Sequence, residues 1–274
     1  MSARIIGWDN FKGFLICLVV FGHFLEIFIG TTGLIRNIWL LIYCMHMPAF
    51  AFVSGYFFKN KPKFYLKYGL IYIVFQIFYI WYAGAYSDEK WPYEMTWHNF
   101  FLRPCHHLWY IFSLLAWGAV AAVCRKITLP LLLLSVAAAI AVPDCRILLI
   151  WHKSIYFFPY FMLGLYLRRT NFNLQDFLAR YRRFINGVFI GGALLMLLLF
   201  DLLKFHASWL FGTRYYTGFY NPADQIFMMV LATAGTLSAA QLIYARPRKF
   251  LTWCGRYTLY IYLLHMMLIL PFRS

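Results

Sequence analysis

Apolar runs of roughly 16 to 22 residues succeed one another along the chain, at residues 11 to 30, 37 to 58, 64 to 83, 107 to 124, 128 to 143, 152 to 168, 184 to 203, 223 to 243 and 252 to 271. The connections between them are rich in charge or tryptophan, the two longest on the outer side near 84 to 106 and 204 to 222. A helix needs about 20 apolar residues to cross about 30 Å of hydrocarbon, so the pattern predicts an all-α, polytopic transmembrane bundle of about nine to ten helices. No internal repeat or low-complexity linker interrupts it, and residues 1–274 read as a single transmembrane domain. The first run lacks the basic, apolar and small-residue cleavage pattern of a secretory signal and reads as a retained span.

Polar residues inside these runs are costly in hydrocarbon, which makes each of them informative. Lys12 and His23 stand eleven residues apart in the first run, on one stripe of the helix and about 16 Å apart along its axis. Asp9 and Glu26 fall within about 60° of that stripe, so the first span carries a polar seam. Snorkelling toward the interface is the competing reading for Lys12, and a buried neutral histidine satisfied by a neighbouring helix is the competing one for His23. In the second run Pro48 removes a backbone donor beside His46, which predicts a bent or broken helix lining a cavity, and Ser54-Gly55-Tyr56 offers close helix approach. His106, His107 and Trp109 open the fourth run and can hold a polar substrate; Thr258 and His265 share a face of the last. His265 on its own reads as a structural residue more readily than a catalytic one.

Composition agrees with the pattern: 63% hydrophobic residues, 12% charged and a mean hydropathy of +0.66 exclude a water-soluble globule. The net charge of +16 would suggest nucleic acid in a soluble protein, but here it belongs to loops, and no nucleic-acid partner is expected. Alternate connections, with Arg4, Lys12 and Arg256, hold 17 of the 25 basic residues, which predicts that this side and the N-terminus face the cytoplasm. The opposite side carries most of the acids, together with Trp39, Trp81, Trp91, Trp97, Trp109, Trp151 and Trp209, an interfacial belt or a set of sugar-stacking platforms. The cysteines show no zinc-like spacing and no metal is expected; Cys105 and Cys145 both fall on the outer side, where a disulfide is conceivable. Nucleotide-hydrolysing, dinucleotide-dependent, serine-hydrolase and zinc-protease motifs are missing from the sequence.

Asp9-x-x-Lys12-Gly13 with ten residues between Lys12 and His23, followed by His46-Met-Pro48-x-Phe50-x-Phe52-x-Ser54-Gly55-Tyr56, resembles the acyltransferase 3 family of integral-membrane O-acyltransferases. His107-Leu-Trp109-Tyr110, Phe158-Pro159-Tyr160-Phe161-Met162-Leu163-Gly164 and the segment Thr258 to His265 are similar to later blocks of that family, in order. The lysine in the first motif most resembles the branch related to fucose O-acetylases. The resemblance implies transfer of an acetyl group from cytoplasmic acetyl-CoA to a hydroxyl of a cell-surface or lipid-linked carbohydrate on the far side of the plasma membrane, in bacteria the inner one. It makes His23 the essential histidine and Lys12 the basic residue of the first motif. The family commonly has ten spans, which places an extra crossing or re-entrant turn near 128 to 152.

The chemistry suits the seam. A sugar hydroxyl is a poor nucleophile, so acyl transfer from a thioester needs a base within hydrogen-bond reach, here His23, and a site that unites donor and acceptor. Lys12, with Arg256 and the basic stretch from Lys59 to Lys67, is suited to coenzyme A phosphates. Asp9 or Glu26 fixes the tautomer of His23 or pairs with Lys12, and the sequence alone does not choose. His46, Ser54, Tyr56, His106, His107, Trp109 and His265 are the acceptor-binding candidates. A secondary transporter or a non-catalytic assembly subunit is the competing class; a transporter often shows paired halves with matching broken helices, which this sequence lacks.

Overall fold

A computed structural model describes residues 6–28, 31–86, 96–124, 128–141, 149–203 and 222–272, and among them every regular element is a helix. The helices are α1 (Ile6–Leu25), α2 (Gly33–Phe57), α3 (Pro62–Tyr86), α4 (Trp97–Leu102), α5 (Trp109–Val123), α6 (Thr128–Ala141), α7 (Leu149–Arg169), α8 (Leu174–Arg180), α9 (Arg182–Leu203), α10 (Pro222–Ala240), α11 (Lys249–Arg256) and α12 (Thr258–Ile269). Each of the nine apolar runs becomes helix, but among the described residues only five helical stretches are both long and apolar enough to cross a membrane. These are Ile6–Phe28, Gly33–Phe57, Pro62–Tyr86, His106–Val123 and Gln225–Tyr244. The run at 184–203 is the long arm of a helix pair bent by 69°, and Thr128–Ala141 and Thr258–Phe272 are shorter apolar helices. Residues 142–148, where an extra turn was expected, lie outside the described residues, as do Cys145, Trp91 and Trp209.

A break at Pro48 and an unbroken last run are both corrected, while the expected cavity beside Pro48 is present, lined by Met47, Phe50, Val53 and Ser54. α2 runs through Pro48 as one helix from a Thr32 N-cap, whose hydroxyl accepts from the Ile35 amide. In the turn before the proline, His46 Nδ1–H donates to the Ile42 carbonyl at 2.7 Å, and Cys44 Sγ donates to that of Leu41 at 3.1 Å. Conversely, the last run is not one span: it breaks at Tyr257 into α11 and α12. Thr258 Oγ1 donates to the Cys254 and Gly255 carbonyls at the break, taking the acceptors left over at the end of α11. α11 buries Thr252, Cys254 and Gly255 and exposes Phe250, Trp253 and Arg256, the face pattern of a helix lying against the bundle.

Small residues set the crossings. A Cβ on Gly13 would sit 1.9 Å from the Leu251 carbonyl oxygen, and one on Gly255 would sit 1.9 Å from that of Asp9, so α1 and α11 meet backbone to backbone. Gly55 and Gly164 do the same for α2 and α7, with hypothetical Cβ atoms 1.8 Å from Phe161 O and 2.0 Å from Phe52 O. Such close approach lets dispersion and interhelical polar contacts hold helices where lipid supplies no hydrophobic drive. Asn10 reinforces the first crossing: its Nδ2 donates to Arg246 O, and its Oδ1 accepts from the Arg248 amide and the Thr252 hydroxyl. The hydroxyls of Tyr79 and Tyr82 donate to the Leu263 and Met267 carbonyls and join α3 to α12. The contacts leave Lys12, Tyr56 and Arg168 at one end of the bundle and His23, Tyr43 and His107 toward the other.

Candidate functional site

The polar seam of α1 is built from two local pairs. Lys12 Nζ lies 2.8 Å from Asp9 Oδ1, and His23 Nδ1 lies 3.3 Å from Glu26 Oε2, each pair at i, i+3 spacing, where helix neighbours meet. The alternative left open by the sequence is thereby decided: Asp9 serves Lys12 and Glu26 serves His23. Tyr43, from α2, donates its hydroxyl to Glu26 Oε1 and sits 3.1 Å from His23 Nδ1. A carboxylate only accepts, so His23 Nδ1 carries the proton given to Glu26 and Nε2 is the basic nitrogen.

Lys12 lines a cavity of about 190 Å³ between α1, α2, α3, α5 and α12, together with Ser54, Tyr68, Tyr110, Thr258 and Tyr262. Ser54 Oγ and the Tyr110 hydroxyl are 2.8 Å apart on its wall. Tyr262 joins this wall to the histidines: its hydroxyl donates to the His107 carbonyl, and its ring centroid lies 4.9 Å from that of His107 and 6.1 Å from that of His265.

Beyond Tyr262 the histidines gather. The His265 ring is 5.3 Å from that of His23 and 5.0 Å from that of His107, centroid to centroid, so α1, α12 and the turn before α5 each contribute one imidazole. His46 sits one shell away, its ring 4.7 Å from Tyr43. Gln76 clamps the segment that carries His107 into the cluster, donating to the Phe100 and Arg103 carbonyls and accepting from the Cys105 amide, while the His106 ring lies against Tyr79 at 6.3 Å. His106 itself adopts a left-handed φ of 46°, a conformation that costs a non-glycine residue about 1–3 kcal/mol and is found where surrounding structure imposes it.

Other sequence candidates stand elsewhere. Tyr56 is engaged at the Lys12 end, stacked on Trp8 at 4.5 Å with the Arg168 guanidinium 5.7 Å above its ring, so it packs there and does not line the cavity. Trp109 stacks on Phe157 at 5.5 Å and has Lys153 5.5 Å over its ring, in the α5–α7 seam. Arg256, Lys59 and Lys67 are exposed and do not line the cavity; Lys67 lies 5.5 Å from the ring of its neighbour Tyr68, which does. Among the tryptophans expected at the interface Trp81 and Trp97 are exposed, whereas Trp39 is buried against Tyr43. Cys105 is buried, and Cys145, with which the sequence could pair it, lies outside the described residues. Among the described residues no group of three or more His, Cys, Asp or Glu is arranged to hold a metal ion.

Sequence reasoning passed over Tyr43, Tyr79 and Tyr262. Tyr43 and Tyr262 each precede a histidine by three residues, one helical turn, and that spacing was the available signal.

No curated protein and no solved structure matches this chain. A family model described as an acyltransferase domain matches residues 5–274.

Proposed function

The chain belongs to the acyltransferase 3 family and is a multi-pass membrane acyltransferase, and from that premise we propose that it moves an acetyl group from cytoplasmic acetyl-CoA to a carbohydrate hydroxyl on the extracytoplasmic side of the plasma membrane. The observation that carries this reading is the cavity lined both by Lys12 and by Tyr262, which is in contact with the histidine cluster. A charged residue beside a largely apolar interior suits a ligand with an anionic end and an uncharged reactive end. Lys12, with the exposed Lys59, Lys67 and Arg256 around that end of the bundle, provides the cationic surroundings for the coenzyme A phosphates. The sidedness follows from the distribution of basic residues along the sequence.

In the reaction, His23 Nε2 takes the proton of the acceptor hydroxyl as its oxygen attacks the thioester carbonyl. The new C–O bond forms, the C–S bond breaks with its electron pair on sulfur, and the proton ends on the thiol. Glu26 holds Nδ1–H and offsets the charge that the imidazole acquires, while Tyr43 holds Glu26. Transfer of labelled acetyl from acetyl-CoA to a carbohydrate by the purified protein is the test of the activity; transport of a glycan without acetylation would refute it.

Two substitutions probe the seam. Glu26→Gln keeps the volume but removes the charge, and kcat is expected to fall about 10²-fold, the lower range for loss of acid–base assistance, with KM for both substrates little changed. An unaltered kcat would show that the Glu26 charge takes no part. Lys12→Gln should raise KM for acetyl-CoA about 10- to 100-fold, the worth of one charge-assisted contact, and leave that for the acceptor alone. Because Asp9 is buried, the paired change Asp9→Asn with Lys12→Gln supplies the control that leaves no buried charge unmatched. A rise confined to the acceptor KM contradicts the assignment.

A further inference from the structure

The site contains more imidazole than a single-base mechanism uses. His265 is buried, and its Nδ1 lies 2.8 Å from Tyr262 O and 3.2 Å from Ile261 O. Carbonyls only accept, so Nδ1 bears the proton and Nε2 the lone pair, and Nε2 has no hydrogen-bond partner among the described residues. A buried, unsatisfied acceptor costs about 1–3 kcal/mol, so a ligand that meets it gains correspondingly. The ring stands 5.3 Å from that of His23. On the same helix, Thr258, Leu259 and Tyr262 line the Lys12 cavity, and His265 follows Tyr262 by three residues, continuing that line into the cluster.

Resting on the acyl-transfer reading above, we infer that His265 is the second catalytic imidazole, which receives on Nε2 the proton that His23 takes from the acceptor and then, as the acid, gives it to the departing sulfur. The arrangement divides the labour. His23 is supported by Glu26, a carboxylate suited to stabilising the imidazolium formed when the hydroxyl proton arrives. His265 has the neutral carbonyls of Ile261 and Tyr262 on Nδ1 where His23 has a carboxylate, so no ion pair holds the proton it receives. The acceptor O–H breaks and its proton goes to His23 Nε2. That proton then moves to His265 Nε2, directly or across one bridging hydroxyl. The thioester C–S bond breaks, sulfur takes the electron pair, and His265 Nε2–H gives the proton to sulfur. Thiol and ester leave, and both rings are again neutral.

The leaving group supplies the test. A thiolate of coenzyme A gains from protonation, whereas an aromatic thiolate departs well without it, so acetyl-CoA and the acetyl thioester of 4-nitrothiophenol are compared on the same protein preparations. His265→Gln should lower kcat about 10²-fold with acetyl-CoA, in the range for loss of a general acid, and only a few-fold with the aryl thioester. His23→Gln should lower both by the same factor. His265→Asn, whose amide can still donate to the helix carbonyls, should repeat the selectivity of His265→Gln, and the ratio of the two donors within one preparation is independent of the amount folded. Equal losses with both donors in the His265 variants, or no loss with either, would overturn the inference. Failure of the unmodified protein to acetylate a carbohydrate with either donor would instead overturn the reading on which it rests.

Discussion

His23→Ala is expected to stop acyl transfer while leaving the amount of protein in the membrane unchanged. The substitution removes the nitrogen that takes the acceptor proton, and loss of a positioned general base costs about 10²- to 10⁴-fold in rate. The fold should survive because neither partner in the pair is deeply buried: the His23 and Glu26 side chains are 20% and 21% exposed. Glu26 also keeps the Tyr43 hydroxyl as a donor when the imidazole is gone. The measurement is labelled acetyl transferred per unit of membrane-inserted protein. Transfer at the original rate would remove His23 as the base, and a parallel collapse of protein level would assign it to the fold.

Gly55→Val should have the opposite signature, losing the folded protein and the activity together. The added Cβ would lie 1.8 Å from Phe161 O, with the carbonyl carbon at 2.7 Å and Cα at 3.0 Å. All three are backbone atoms of α7, so no side-chain rotation relieves the clash, and forced overpacking costs about 1–3 kcal/mol or more. Gly164, on the facing helix, would meet the Phe52 carbonyl and the Tyr56 amide, so the crossing cannot slide toward it. α2 carries Tyr43, His46 and Ser54, and losing its seat on α7 displaces them as a set. Gly69→Ala is the contrast: nothing stands within 4 Å of that Cβ, and a helical Gly→Ala exchange is worth about 0.4–1 kcal/mol of added stability. Thermal unfolding in detergent separates the two, and a Gly55→Val protein as stable as the Gly69→Ala one would refute the close-crossing argument.

The helical bundle was legible because apolar run length and the 3.6-residue period are local properties of the chain. The seam was legible for the same reason, but its pairing was left open, although Asp9 is three residues from Lys12 and Glu26 three from His23. What escaped the sequence depends on distant segments. The break at Tyr257 arises where Gly255 presses on the Asp9 carbonyl, a contact across almost the whole chain that leaves no mark in the hydropathy of 252 to 271. Tyr56 belongs to a conspicuous motif, yet Trp8 and Arg168 engage it, and its motif alone could not show that. His265, which looked solitary, meets His23 only because Tyr79 and Tyr82 draw α12 against α3 and Tyr262 draws it against the segment of His107.

The hydrogen bonds of Asn10 span 236 to 242 residues. During synthesis α1 therefore enters the bilayer long before the segment that will clamp it exists, and it must wait there with a lysine, a histidine and two acids on its surface. Both of its polar pairs are internal to Asp9–Glu26, three residues from acid to base in each, so the waiting helix can neutralise Lys12 with Asp9 and give the Glu26 carboxylate a hydrogen bond from His23 without any neighbour. The pairing that orients the chemistry in the finished protein thus also provides the first span with a passport into lipid, and exchanging the two acids for neutral residues should slow membrane insertion of this segment before it ever affects a reaction.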